Sequence, residues 1–270
     1  MTAAVGAALT MTVAGCGADT GAGRGDTGKG QGKDKSAGAH DERTDARAVL
    51  LAAAEKTGAQ TSYKTVQTGH GGSDRSEMLY QKKPAATVIK AWVTKSSANP
   101  TGISHMVAVD GATYVKTDKV PGKKWYRMDT GVIGASRAAG YVPEFTGALA
   151  ATKSTKWVAE EKVGGRPADH YRGTVVLKEL ARYTGAALDK DVRDAYVEGA
   201  RKQGLTSVVI DLWVGKDDLV LKSRETGDGS KGREELNEVY SDFGAVPEVA
   251  APAAGTVASW DEFIGAQATP

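Results

Sequence analysis

The sequence has little from which redox or metal chemistry is built. It has one cysteine, Cys16, among 270 residues. A single thiol excludes an intrachain disulfide and any all-cysteine metal site. Four histidines occur, His40, His70, His105 and His170, and no two are closer than 30 positions. That spacing excludes the local His-pair motifs of zinc enzymes. No metal and no cofactor is expected. No apolar run approaches the roughly 20 residues that a membrane-spanning helix needs. Nor is there an excess of one charge sign: 35 Lys and Arg against 33 Asp and Glu leave +2. That balance gives no general electrostatic case for a nucleic-acid partner.

What is there is ordinary in bulk and uneven in placement. Hydrophobic residues at 40% and charged residues at 25% suit a globular domain. The length suits one large domain or two small ones. The glycines cluster near the N-terminus. Met1–Ala18 carries no charged residue, and within it Leu9 to Val13 is weakly apolar and runs into Ala14-Gly15-Cys16. Small side chains before a scissile bond are what a signal peptidase cleft admits. Val13-Ala14-Gly15-Cys16 resembles the lipobox of bacterial lipoproteins. The resemblance implies a diacylglycerol on Cys16 and cleavage before it. No Lys or Arg precedes Cys16, so residues 1–15 are read as an incomplete signal peptide, trimmed or starting upstream.

From Gly17 to Asp45 the chain has eight glycines among polar residues and no Leu, Ile, Val, Phe, Tyr or Trp. It cannot bury apolar area to offset ordering entropy, so residues 16–45 read as a disordered tether. A Gly-rich coil of this length reaches roughly 30 Å. Gly23–Gly30 nearly spells a phosphate-binding loop, but Gly30 stands where the Mg²⁺-ligating Ser or Thr belongs, and no strand or helix frames it.

A domain is expected over residues 46–252, with 253–270 as a tail. Asp45 caps a helix with apolar Val49, Leu50, Ala53 and Ala54, ending near Gly58. Strand patterns follow over 62–70, 77–81, 86–94, 103–109, 113–117 and 124–129, with Asp110-Gly111 as a hairpin turn. Residues 132–152 read as helical, broken at Pro143. Strands are expected over 155–163 and 168–177, a helix over 189–203 closed by Gly204, and strands over 206–214, 219–225 and 234–242. Long antiparallel strands with single helices between hairpin groups make an α+β fold.

The block Thr206–Glu225, one strand, an acidic turn at Lys216-Asp217-Asp218 and a second strand, is followed by Val239-Tyr-Ser-Asp-Phe-Gly244-Ala-Val-Pro247. Together with Val109-Asp-Gly-Ala-Thr-Tyr-Val-Lys116, Lys124-Trp125 and Asp169-His-Tyr-Arg-Gly-Thr-Val-Val176, it resembles the actinobacterial lipid-carrier lipoproteins of the LppX/LprA/LprF/LprG type, in the wider LolA-like fold. The resemblance covers most of the chain after Ala46. It implies a strongly curved antiparallel sheet, a half-barrel, with helices packed across its concave face. It also implies an apolar cavity for an acyl lipid or glycolipid, no catalysis, and a lipid-anchored place on the extracytoplasmic side of the cell membrane. A monomer is expected.

Alternation puts Val208, Ile210, Leu212 and Val214 on one strand face, with Asp211 and Trp213 on the other. Leu219 and Leu221 share a face, as do Val175 and Leu177. Ile133, Tyr141, Phe145 and Leu149 of the middle helix offer cover. These residues either line a cavity or fill a solid core. Lys116, Lys119, Lys123, Lys124 and Arg127 gather around Pro121-Gly122 with Trp125 beside them. That tip, with Lys119, Lys123, Lys124, Trp125 and Arg127 as its contacts, either lies on an anionic bilayer or serves as a solubilising loop. No catalytic residue is singled out. Gly134-Ala-Ser136-Arg-Ala only approaches a nucleophile elbow, and Glu160-Glu161 reads as solvated surface. The alternative function is a non-enzymatic surface module of the same fold with a filled core and a protein partner.

Overall fold

The computed structural model describes residues 45–69, 75–96, 99–128 and 141–267, without the side chains of 141–144. All described residues belong to one compact unit. The lipobox, the tether and Ile133 lie outside the described residues.

Helix α1 (Ala46–Gly58) starts where Asp45 Oδ1 accepts the Ala48 N–H at 3.1 Å. Its buried Leu50, Ala53 and Thr57 recur at helical spacing. Strands β1 (Ser62–Thr68), β2 (Arg75–Gln81), β3 (Ala86–Trp92), β4 (Ile103–Val109), β5 (Ala112–Lys116) and β6 (Trp125–Met128) follow as an antiparallel meander. The turn between β4 and β5 is Asp110-Gly111, both at positive φ, which matches the twist of a two-residue hairpin.

Helix α2 (Tyr141–Ala150) leads into a second meander of β7 (Lys156–Val163), β8 (Arg166–Val176), β9 (Ser207–Gly215), β10 (Val220–Gly229) and β11 (Gly232–Ser241). Pro143 does not break this helix. It sits in the first turn, where a missing N–H costs no hydrogen bond. Between β8 and β9 lie the single turn α3 (Leu177–Leu180) and α4 (Lys190–Lys202). Asp189 caps α4 through the Asp191 and Val192 N–H groups. Gly204 follows its C-terminal end at φ +80, where a Cβ would lie 2.6 Å from Ser230.

The two meanders join where β1 pairs with β11, which gives one open sheet in the order β12-β6-β5-β4-β3-β2-β1-β11-β10-β9-β8-β7. Strand β12 (Val257–Ala258) comes from the segment expected as a tail and runs parallel to β6, so the sheet is mixed. Helix α5 (Trp260–Gln267) follows it.

One face of β8–β10 meets the helices. Leu50 and Ala53 of α1, Phe145 and Leu149 of α2, and Val197 and Ala200 of α4 share a buried cluster with Val175, Val208, Ile210, Leu212 and Val214. The Thr57 hydroxyl accepts the buried Val220 N–H at 3.0 Å and ties α1 to β10. The reverse face is partly covered by the chain after β11, whose Val249 packs on Ala86, Val107 and Val109.

Candidate functional site

Most of the residues read as a cavity wall meet in the structure, as packed core. Phe145, Leu149, Val175, Leu177, Val208, Ile210 and Leu212 belong to one cluster, and none is more than 2% exposed. Leu219 and Leu221 are elsewhere. They pack with Ala168 and Trp213 on the reverse face. Val220 between them pairs with Val214 and faces the helices, so alternation points Leu219 and Leu221 the other way. Ile133 lies outside the described residues. Tyr141 begins α2, and its side chain is not described.

The helix side is different on the other meander. Register carries Met78 to Ile89, Ile89 to Met106, Met106 to Val115 and Val115 to Tyr126. These five side chains form a row across β2–β6, and each is only half-buried. Neighbouring strands are about 4.8 Å apart, so the row spans about 19 Å. The adjacent row is Tyr80, Thr87, Ala108, Thr113 and Met128. Within it, the Thr87 hydroxyl is buried and has no hydrogen-bond partner among the described residues. Methionine is unbranched and polarizable, and it adapts to irregular apolar partners. Sequence reasoning missed this row, yet the signal was present. Residues 103–109 alternate apolar groups on both faces, Val107 and Val109 on one, Met106 and Ala108 on the other.

The row ends at α5. The Tyr126 ring stacks on Phe263 at 3.7 Å. Beside them, between the β3–β4 loop, the β5–β6 loop and α5, lies a cavity of about 880 Å³, whose wall includes Val115, Tyr126 and Phe263. Of the basic hairpin residues, Lys119 is exposed and lines this cavity. Lys123 Nζ donates to the Gly255 carbonyl at 3.2 Å. Lys124 is exposed, and its backbone N–H donates to the Thr256 carbonyl. Arg127 is exposed on β6. Trp125 is not at the tip. It is half-buried on the reverse face, packed on the Val107–Val109 cluster and edge-on to His105 at 5.1 Å.

The reverse face of β7–β10 carries a dense polar network. Asp211 is fully buried and accepts from Arg172 Nε at 2.7 Å and Arg224 Nη2 at 3.0 Å. His170 Nε2 lies 2.6 Å from Asp211, and its Nδ1 lies 3.0 Å from Glu161. Trp213 donates to Glu161 at 2.8 Å and stacks on His170. Burial raises the Asp211 pKa, but the bonds from His170, Arg172 and Arg224 outweigh it and hold it at about 2. The Trp213 bond lowers the Glu161 pKa, burial opposes it, and His170 adds to the lowering. Glu161 is exposed, as read, and also belongs to this network. Both ring nitrogens of His170 face carboxylates, which leaves neither free to act as a base on a substrate.

No protein-family model matches the chain. A stretch of 117 residues is 34% identical to an uncharacterized 31.2 kDa protein from the rplA-rplJ intergenic region of Streptomyces griseus; it spans 43% of this chain and only 38% of that protein. Among solved structures, LprF from Mycobacterium bovis superposes with a TM-score of 0.54 at 12% identity, over 78% of this chain and 98% of LprF. The Mycobacterium tuberculosis lipoprotein LppX gives 0.50 at 11% identity, over 76% of this chain and 98% of LppX. The chain has the fold of LprF and LppX.

Proposed function

We propose that this protein is a lipid-anchored, extracytoplasmic carrier that binds an acyl lipid or glycolipid and carries or presents it, without catalysing a reaction. One observation carries the reading: the half-buried row Met78, Ile89, Met106, Val115 and Tyr126 on the helix side of the sheet. In this account the sheet is curved as a half-barrel and the row lies on its concave side. The packed cluster of β8–β10 forms the floor that holds the curvature. An acyl chain laid along the row gains about 0.8 kcal/mol for each methylene taken from water.

The anchor in this account is a diacylglycerol on Cys16, on a tether over residues 16–45 that holds a monomeric domain off the membrane. The sequence Val13-Ala14-Gly15-Cys16 supports it, as does the likeness of fold to a lipoprotein. The test is organic extraction of the purified protein followed by mass spectrometry. A stoichiometric acyl lipid is expected. Its repeated absence would remove the carrier reading in favour of a surface module with a protein partner.

A further inference from the structure

The first meander divides its charge by face. Register assigns every charged side chain of β1–β6, Lys64, Arg75, Glu77, Lys90, Lys116 and Arg127, to the reverse face and none to the helix side. The excess is basic, five cations against one carboxylate. Much of it gathers at one end of the strands. There Arg75, Trp92 and Ile103 stand opposite one another on β2, β3 and β4. In the adjoining row Lys90 stands opposite His105, and Lys116 opposite Trp125. Lys95 of the β3–β4 loop and Lys119 of the β5–β6 loop are exposed at the same end.

The middle of this patch is apolar and open. Ile103 is 39% exposed, and Val93, at the end of β3, is 42% exposed. The Arg75 guanidinium and Lys90 Nζ lie 5.0 and 4.6 Å from the centre of the half-buried Trp92 ring. Such contacts leave their N–H groups available. In these strands and loops the described carboxylates at this end are Glu77 and Asp118. Glu77 pairs with Arg75 at 2.5 Å and with Lys64 at 3.9 Å. Against Arg75, Lys90, Lys95, Lys116 and Lys119, positive charge remains when both carboxylates are counted. His105 registers that field: burial, and then Lys116 and Lys90, hold it below the usual imidazole range.

The cations are spread, not convergent. From β2 to β5 they cover about 14 Å, which suits a plane of many phosphates better than one bound anion. A tryptophan among cations, with aliphatic groups open beside it, matches the headgroup level of a bilayer, where one end of the ring is apolar and the other wet. We infer that this strand end is a membrane-docking surface, in which Arg75, Lys90, Lys95 and Lys116 meet anionic phospholipid headgroups while Trp92 and Ile103 enter the interface. Docking is separate from the acyl cargo assigned to the opposite face, so either reading stands or falls without the other.

The test floats the full chain bearing Cys16→Ala with vesicles of phosphatidylcholine, with or without phosphatidylglycerol. Binding to the anionic vesicles should be tighter by about tenfold or more and should weaken as salt is raised. Lys90→Gln with Lys116→Gln should lose about tenfold or more of that binding at an unchanged melting temperature. Lys90→Arg with Lys116→Arg should keep it. Ile103→Ser should weaken it without restoring binding to neutral vesicles. Lipids brominated near the headgroup end of the acyl chain should quench tryptophan fluorescence, and Trp92→Phe should remove that quenching. Equal binding to both vesicles, binding to neither, or glutamine variants that bind as the parent does would overturn the docking surface. Quenching that survives Trp92→Phe would move the contact elsewhere, Trp260 of α5 being the other exposed tryptophan among the described residues, and would overturn it as well.

Discussion

At the residue scale, the fully buried Asp211 shows how much one side chain sets. Its carboxylate is held by Arg172, Arg224 and His170, which come from two neighbouring strands. A carboxyl whose folded pKa lies below its unfolded one adds stability above the unfolded value and loses it as pH falls through the folded value. With the folded value at about 2, the contribution is complete above about pH 4 and fades toward pH 2. It amounts to about 2–3 kcal/mol. Unfolding free energies of the parent should show that loss on acidification. Asp211→Asn should flatten it and cost on the order of 3 kcal/mol at pH 7, because two guanidinium groups lose their counter-charge. An unchanged acid profile in the variant would assign acid sensitivity to other groups.

Local chemistry of this kind was legible in the sequence where it acts locally. Asp45 caps the helix expected after it, the helix expected over 189–203 forms with Asp189 as its cap, and Asp110-Gly111 turns where the pattern placed it. The sequence pattern for β4 has the observed limits, Ile103 and Val109. Leu219 and Leu221 share a face as the pattern indicates, but which side of the sheet it lies on was not legible, because the register shift before Lys222 breaks the two-residue period along β10. Glu161 is exposed, as read, but its bonds were not legible for a related reason. Its partners His170 and Trp213 lie 9 and 52 positions away, and only the pairing of β7, β8 and β9 brings them together.

At the scale of elements, the segment after Pro252 changes most between pattern and structure. A two-residue strand has no period to read, and the Ala- and Gly-rich approach to it resembles a tail. Yet β12 pairs with the outer side of β6, and Phe263 of α5 packs with Ala258, Val120 and Tyr126. This covers a strand edge that would otherwise offer unpaired N–H and C=O groups to another chain. The far edge, β7, is defended by Lys156, Glu160, Glu161 and Lys162 instead. A chain truncated after Pro252 should therefore lose on the order of 3 kcal/mol of stability and self-associate through β6. Urea unfolding and size-exclusion chromatography would show both effects. A truncated chain of parental stability that stays monomeric would mean that β12 and α5 contribute nothing to the sheet.

At the scale of the whole molecule, the two meanders divide the work. The second, with α1, α2 and α4, carries the packed core. The first presents a half-buried apolar row on the helix side. The cavity-wall residues read from alternation lie mainly in the second meander, because strongly apolar strands mark a core more clearly than they mark a site. Anchoring is a separate matter. Cys16→Ala, expressed behind a complete signal peptide, should move the protein from the membrane fraction to the soluble one with an unchanged unfolding transition. Equal membrane binding by the variant would contradict the lipobox reading.

The most direct measurement is photolabelling of the protein with a lipid that carries a diazirine in its acyl chain, followed by peptide mapping. The account predicts adducts on peptides within residues 75–128, centred on Met78, Ile89, Met106 and Val115. Adducts confined to residues 166–241, or saturable labelling nowhere on the domain, would contradict it.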